Sequence, residues 1–351
     1  MPGLFLLGGL AALVLAALAS LFLAAGSDAW QGNVGYLVSI AGFTVYQALL
    51  STLLSLSFGA LVALALARRQ FPGRRLLLAL FGVAAALPSI VAVFAFAGIY
   101  GRAGIVNAVL GTVGLPGISL YGLTGILMVH VFFNGAFASR VFLAALEAVP
   151  GEHWRLAASL GLPPATIFRR IDWPVLKRDL PALALLIFIA CATSFAIPLT
   201  LGGGPGSATF EVAIYQAIHS DADFARAAVL ALLQIAAMAL LVTLAAPLLV
   251  HPPEAASLGR RLERPDRETG WLRLADTLVI GFSLLLLMPP CWPFSMPAAR
   301  CWGVSTRRCP GLSQPAWWSH WRLPRWRWRP PSCCRARACR WRGGAGCALP
   351  G

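Results

Sequence analysis

The sequence predicts an all-α, polytopic membrane protein of about six to seven spans followed by an aberrant tail, on three observations. The 351-residue chain is 58% hydrophobic and only 12% charged, whereas globular domains carry roughly a quarter charged residues. Its apolar residues fall in runs near the length that crosses a bilayer, about 20 residues. Its cations recur in alternate connections, the distribution that marks cytoplasmic loops.

The formal net charge of +15 points away from nucleic acid because of where it lies. Residues 1–290 contain 17 Lys plus Arg against 13 Asp plus Glu. Residues 291–351 contain 11 Arg, no acid, seven of the eight Cys and eight of the twelve Trp. Two compositions share one chain, joined near Pro289–Pro290. No nucleic-acid partner is expected; membrane lipid is.

Taken in order, Leu4–Ala25 is a continuous apolar run. It lacks a basic leader and exceeds the roughly 7–15 residues of a signal-peptide core, so an uncleaved first helix is expected. A polar stretch (Ser27, Asp28, Gln31, Asn33) leads to the apolar segment Leu37–Ala67. That segment exceeds one span, which predicts tilt or an interfacial lead-in. Arg68–Arg75 forms a tight basic turn. A third span covers Leu76–Tyr100, with Pro88 expected to kink it, since neighbouring helices compensate a proline inside a membrane. Gly101–Ser119 is Gly-rich, and its Gly104–Leu110 portion fits a short interfacial helix. The fourth span is Leu120–Leu143, the fifth Leu180–Leu199 and the sixth Phe224–Val250. A charged connection, His251–Arg273, precedes a seventh apolar run, Leu274–Met288.

Of the 17 cations before residue 290, four lie in 68–75, five in 150–180 and five in 251–273. The intervening connections hold Arg102, with Arg226 at a span edge. The three basic connections are therefore expected on the cytoplasmic side of a multi-pass membrane protein.

The connection Pro150–Pro174, PGEHWRLAASLGLPPATIFRRIDWP, reads as two short helices meeting at an elbow. Leu156 and Leu160 lie one turn apart with Ala157 beside them. Gly161 suits a helix C-terminus, and Pro163-Pro164 stops one helix and starts another. In the second helix Ile167, Phe168 and Ile171 share a face, with Arg169, Arg170 and Asp172 expected away from it. Pro174 is expected to end this helix before the next span. An interfacial amphipathic helix pair with snorkelling arginines is the simpler alternative.

The spacing is more particular than that alternative requires. Arg155-Leu156-Ala157 is followed by Gly161, by Ile171 after nine intervening residues and by Pro174 after two more. This resembles the cytoplasmic EAA loop of ABC-importer permeases, which docks on the ATP-binding subunit. The resemblance makes 144–180 the coupling segment, with Glu152, Arg155, Ala157, Gly161, Ile171 and Pro174 as its candidate residues. Arg155 stands where the family usually has Glu, and Glu152, on the same helical face, is the nearest substitute.

Further on, Thr200-Leu201-Gly202-Gly203-Gly204-Pro205, Phe210-Glu211-Val212-Ala213-Ile214-Tyr215-Gln216-Ala217-Ile218, Ala225-Arg226-Ala227-Ala228 and Leu230-Ala231-Leu232-Leu233-Gln234 resemble the thiamine ABC-transporter permeases. Iron(III) permeases share the two-lobed organisation and are the alternative. The resemblance implies a type I importer (MetI-like) fold, with thiamine and its phosphates transported by alternating access. It implies two partners, a dimeric cytoplasmic ABC ATPase and a periplasmic thiamine-binding protein. ATP would be bound by the ATPase, and no cofactor or metal by this chain. No Walker-type loop, His-Glu-x-x-His or Gly-x-Ser-x-Gly occurs, so no catalytic residue is assigned. A membrane scaffold without transport activity is the alternative from another class.

Two smaller groups stand out. His130 and Asn134, four apart within a span, suit interhelical hydrogen bonding or the substrate path. Arg140 is expected to snorkel, and Cys191 and Ser194 to pack as small residues. Phe210, Ile214 and Ile218 fall on one face of an external amphipathic helix, with Phe210, Glu211 and Tyr215 as candidate contacts for the binding protein.

The organisation expected is thus a first permease half over 1–250, a linker with the start of a second half over 251–290, and a tail over 291–351. The tail's Cys spacing matches no zinc pattern, and its Trp-Arg alternation suits an anionic surface. A shifted reading frame in GC-rich codons accounts for its Trp, Cys, Arg and Pro more simply. On that reading the second half, with its own coupling loop, is truncated.

Overall fold

The protein, seen in a computed structural model, is described over residues 34–102, 104–117, 119–249, 264–268 and 270–291. The expected first helix at Leu4–Ala25, most of the linker and the tail after 291 lie outside the described residues. Every regular element among the described residues is helical.

The central element is α1, Val34–Arg68. At about 1.5 Å per residue it is longer than the bilayer's hydrocarbon core, about 30 Å, as expected from the length of its apolar run. In its first turns Ile40 meets Ala213 and Leu230. Its middle is crossed closely by α5, Leu123–Glu147. A Cβ added at Gly59 would lie 2.6 Å from the Ala138 Cβ. Small residues thus set the helix separation here.

The third expected span is interrupted, not merely kinked. α2 (Arg74–Ala86) and α3 (Ser89–Tyr100) are separated by Leu87, whose ψ of 138° is extended, and Pro88. Proline clashes with a helical residue before it, so Leu87 leaves the helix. α2 packs on the C-terminal half of α5 and α3 contacts its N-terminal half. Together they run antiparallel to α5 as one broken span. The short helix α4 follows at Ile105–Thr112.

The elbow consists of α6 (Gly151–Ser159), α7 (Pro164–Ile167) and a π turn, Phe168–Asp172. The π turn runs directly into α8, Trp173–Ala192. Pro174 therefore does not end the second elbow helix. It stands in the first turn of α8, where the shifted hydrogen-bond ladder of the π turn accommodates a residue without an N–H. α8 stops at Thr193, and a short helix, α9 (Ala196–Leu201), carries the fifth expected span onward with Pro198 in its first turn. α8 packs on the C-terminal half of α5 and α9 on its N-terminal half, so this span is also broken but continuous in direction.

α10 (Phe210–His219), α11 (Phe224–Leu249) and α12 (Gly270–Cys291) complete the described residues. Five stretches among them are long and apolar enough to cross a membrane, namely α1, α3 with α4, α5, α11 and α12. They correspond to the second, third, fourth, sixth and seventh spans expected; the first lies outside the described residues, and the fifth is the one divided between α8 and α9. α12, expected to begin a second half, packs against α1, α2 and α3.

The core lies among α1, α2, α3, α5 and α8. Phe81, Phe96, Phe132 and Phe142 are fully buried there, and the Phe96 and Phe132 rings meet edge to face at 5.5 Å. Leu274, Leu278, Phe282 and Leu285 of α12 are exposed, an apolar face suited to lipid.

Candidate functional site

The described parts of the three basic connections converge at one end of the molecule, and the elbow lies among them. α6 begins after Pro150 and closes with paired backbone bonds, Leu162 N–H to the Ala157 carbonyl and Gly161 N–H to the Ala158 carbonyl, each 3.1 Å. This is a Schellman closure, which needs a left-handed residue. Gly161, at φ +56°, supplies it.

The elbow buries one side of each arm. Trp154, Ala157 and Ile167 form a small core with Val149, Leu162 and Ile171 against it. Leu156 and Leu160 are 59% and 63% exposed, beside the exposed Glu152 and Arg155. Of the candidate coupling residues, Ala157 is buried and Ile171 half-buried, while Glu152, Arg155, Gly161 and Pro174 face outward.

Asp172 corrects a second expectation. It does not lie on the outer face with Arg169 and Arg170 but is fully buried. The π turn holds more residues per turn than an α-helix, so the side chain at its end is rotated inward. There Arg264 donates from Nη1 to Asp172 Oδ1 at 2.9 Å and from Nη2 to Oδ2 at 2.7 Å. The same guanidinium lies 4.2 Å from the centre of the Trp154 ring and bonds Asp266 from Nε at 3.0 Å.

The network continues into the helices. Arg68, the last residue of α1, donates to Asp266 at 3.2 Å and to Asp276 of α12 at 3.1 Å, and Arg69 donates to Asp276 at 2.8 Å. Close by in sequence, Arg74 of α2 pairs with Glu147 of α5 at 2.6 Å. Burial works against the charge on Arg264, but its hydrogen bonds to Asp172 and Asp266 outweigh it and raise the guanidinium above the usual arginine range. Burial likewise favours neutral Asp266, yet Arg264 and Arg68 hold its carboxyl below the usual range.

Trp154, Arg264, Asp266 and Asp276 were not legible as a set in the sequence. The one available signal is Asp172 itself, the single acid between Glu152 and Asp179 in a strongly basic connection.

The other candidates occupy two further places. His130 and Asn134 both face the seam between α1 and α8. Ser51 Oγ lies 2.9 Å from His130 Nδ1, and Asn134 Nδ2 donates to Cys191 Sγ at 3.2 Å. Gln47 Nε2 bonds the Cys191 carbonyl at 3.0 Å, closing a polar band across three helices. At the other end, Phe210 and Ile214 pack toward Ile40 and Leu230, while Ile218 is exposed, so the expected apolar face of α10 is only partly covered. Tyr215 is exposed and stacks on His219. Glu211 turns sideways, accepting a 2.8 Å bond from Gln234 Nε2. Both line a groove of about 770 Å³ among α8, α10 and α11, with Ile189, Thr193, Met238 and Thr243.

With this geometry in view, comparison with known proteins identifies the family. The model of the family described as "Binding-protein-dependent transport system inner membrane component" matches residues 55–251, from mid-α1 past the end of α11. The chain belongs to that family. It is a multi-pass inner-membrane protein of the ABC-importer permease class.

Among relatives, the chain is 42% identical over 320 residues to the thiamine transport system permease protein ThiP of Escherichia coli (strain K12), covering 90% of this chain and 59% of that one. It is 43% identical over 297 residues to ThiP of Brucella melitensis, covering 81% and 54%. The chain thus spans somewhat over half the length of these permeases. A putative 2-aminoethylphosphonate transport system permease protein, PhnU of Salmonella typhi, is 26% identical over 196 residues, covering 55% and 68%. Among solved structures, a bacterial alginate ABC transporter in complex with an alginate pentasaccharide-bound periplasmic protein aligns with a TM-score of 0.55 at 16% identity, covering 62% of this chain and 79% of that one. That likeness is one of fold.

Proposed function

We propose that this chain supplies the first half of a thiamine-importing permease, which moves thiamine and its phosphates inward by alternating access. The elbow at 151–172 is the surface that docks on a cytoplasmic ABC ATPase, and the 201–219 segment with α10 faces a periplasmic thiamine-binding protein. The single observation that carries the coupling role is the elbow itself. It is a Schellman-closed pair of helices with a buried inner core, an outer face of Glu152, Arg155, Leu156 and Leu160, and direct continuity into α8.

The substrate rests on the thiamine permeases named above, and the groove beside α10 is in keeping with it. Thiamine is an organic cation with aromatic rings, and the groove is apolar with one carboxylate, Glu211. His130 and Asn134 take a supporting place, bracing α5 against α1 and α8 behind that pathway.

The purified chain in lipid nanodiscs tests the coupling surface. It should capture the thiamine-system ATPase, and Leu156→Asp with Leu160→Asp should abolish capture without unfolding the chain. ATPase binding that survives the double substitution, or no binding by the unaltered chain, overturns the reading.

A further inference from the structure

We infer that Arg264 is a positioning residue that ties the elbow to α1 and α12, so that displacement of the elbow is delivered to helices it does not adjoin in sequence. An elbow attached only by its own chain would move α5, which precedes it, and α8, which follows it. Here Asp172 is clamped by two bonds to Arg264, and Arg264 is clamped in turn to Asp266. Asp266 is held by Arg68 at the end of α1, and Arg68 and Arg69 both hold Asp276 in the second turn of α12.

Three features make this a mechanical link and not a surface ion-pair cluster. The Arg264 and Asp172 side chains are 6% and 0% exposed, and Asp266 is 1% exposed, so solvent screening that weakens exposed pairs does not apply. The guanidinium is planar, bonds Asp172 through both outer nitrogens and lies over Trp154, so its orientation and not merely its charge is specified. Trp154 and Asp172 belong to the two arms of the elbow, on either side of the Gly161 turn. Arg264 therefore also holds the arms at a set angle.

The functional meaning of the link rests on the coupling role proposed above, but its existence is testable without any partner. Hydrogen–deuterium exchange on the full 351-residue chain in nanodiscs reads it. Asp172→Asn should speed exchange in residues 60–68 and 270–276 by about 10-fold, mid-range for groups sharing one hydrogen-bonded network. Residues 210–219 at the opposite end should not change. In an Arg264→Gln background the same substitution should add nothing further. Arg264→Lys should restore only part of the protection, because an ammonium cannot reproduce the paired bonds and the stacking. Should Arg264→Gln fail to accumulate, Trp154→Leu removes the stacking face with every charge intact and should give the same rise in 60–68.

Exchange in 60–68 that ignores Asp172→Asn, effects of the two substitutions that simply add, or full rescue by lysine would each overturn the inference. So would a uniform rise that includes 210–219. Failure of ATPase capture with the exchange results intact would instead remove the coupling role and leave the link.

Discussion

Arg264 and Asp172, 92 positions apart, meet through two hydrogen bonds of 2.9 and 2.7 Å where the elbow meets the connection leading into α12. The pair is fully inside the protein, and this determines how substitutions there behave. Two buried charges each lose hydration, and their attraction only partly repays it.

Removing one partner should therefore be worse than removing both. Asp172→Ala should destabilise the chain by about 3–5 kcal/mol, since it leaves Arg264 buried with half its partners. Asp172→Leu with Arg264→Met should cost much less. Thermal unfolding in detergent with a scattering readout compares them, and the double variant should be the more stable.

The network should be insensitive to pH near neutrality and fail only at the extremes, in acid first. A carboxyl held below its ordinary value of 3.8, as Asp266 is, contributes stability that is complete above that value and is lost as pH falls through the lowered one. Arg264 is shifted the other way, and its contribution is lost only in strong alkali. Unfolding temperature should be flat from about pH 9 to about pH 5 and fall below about pH 4. Asp266→Asn should reduce the acid slope.

At the elbow turn, Gly161→Ala meets open space but must adopt φ +56°. The expected cost is about 1–2 kcal/mol, confined to residues 151–162, with Gly161→Asn milder because asparagine tolerates that conformation. Local exchange rates separate this from a global effect.

Within the bilayer, glycines of α1 should differ by their neighbours. Gly59→Ala drives a methyl to 2.6 Å from the Ala138 Cβ and 3.0 Å from the Ser139 nitrogen, an overpacking of about 1–3 kcal/mol. Gly42→Ala meets nothing within 4 Å and should be neutral or stabilising by up to about 1 kcal/mol of helix propensity. Thermal shifts of opposite sign would bear this out.

Glu211→Gln keeps a partner for Gln234 while removing the one carboxylate of the groove. In a complete thiamine importer, uptake of the cationic substrate should fall about 10-fold, the scale of one charge-assisted bond. ATPase capture at the distant elbow should be unchanged. Uptake equal to that of the unaltered protein would dissociate Glu211 from the substrate path.

What could be read from the sequence follows from physics that acts locally. Partition into a bilayer depends on runs of neighbouring residues, so the approximate extents of α1, α11 and α12 were legible. Backbone restrictions are local too. Gly161 as a left-handed helix stop, and a helix starting at Pro164, needed no knowledge of the rest of the chain.

The remainder was decided by packing between distant segments. Whether Pro88 kinks or breaks a span depends on the two helices finding separate surfaces along α5. Whether Pro174 ends a helix depends on a π turn before it, and that same turn swings Asp172 inward, where a residue from another connection awaits it. His130 acquires its partner Ser51 only because Gly59 lets α1 approach α5 closely. Which charges pair, and which apolar residues of the elbow stay exposed, are properties of surfaces brought together by tertiary structure. Periodicity along one helix shows which residues share a face, but only the fold shows what that face meets.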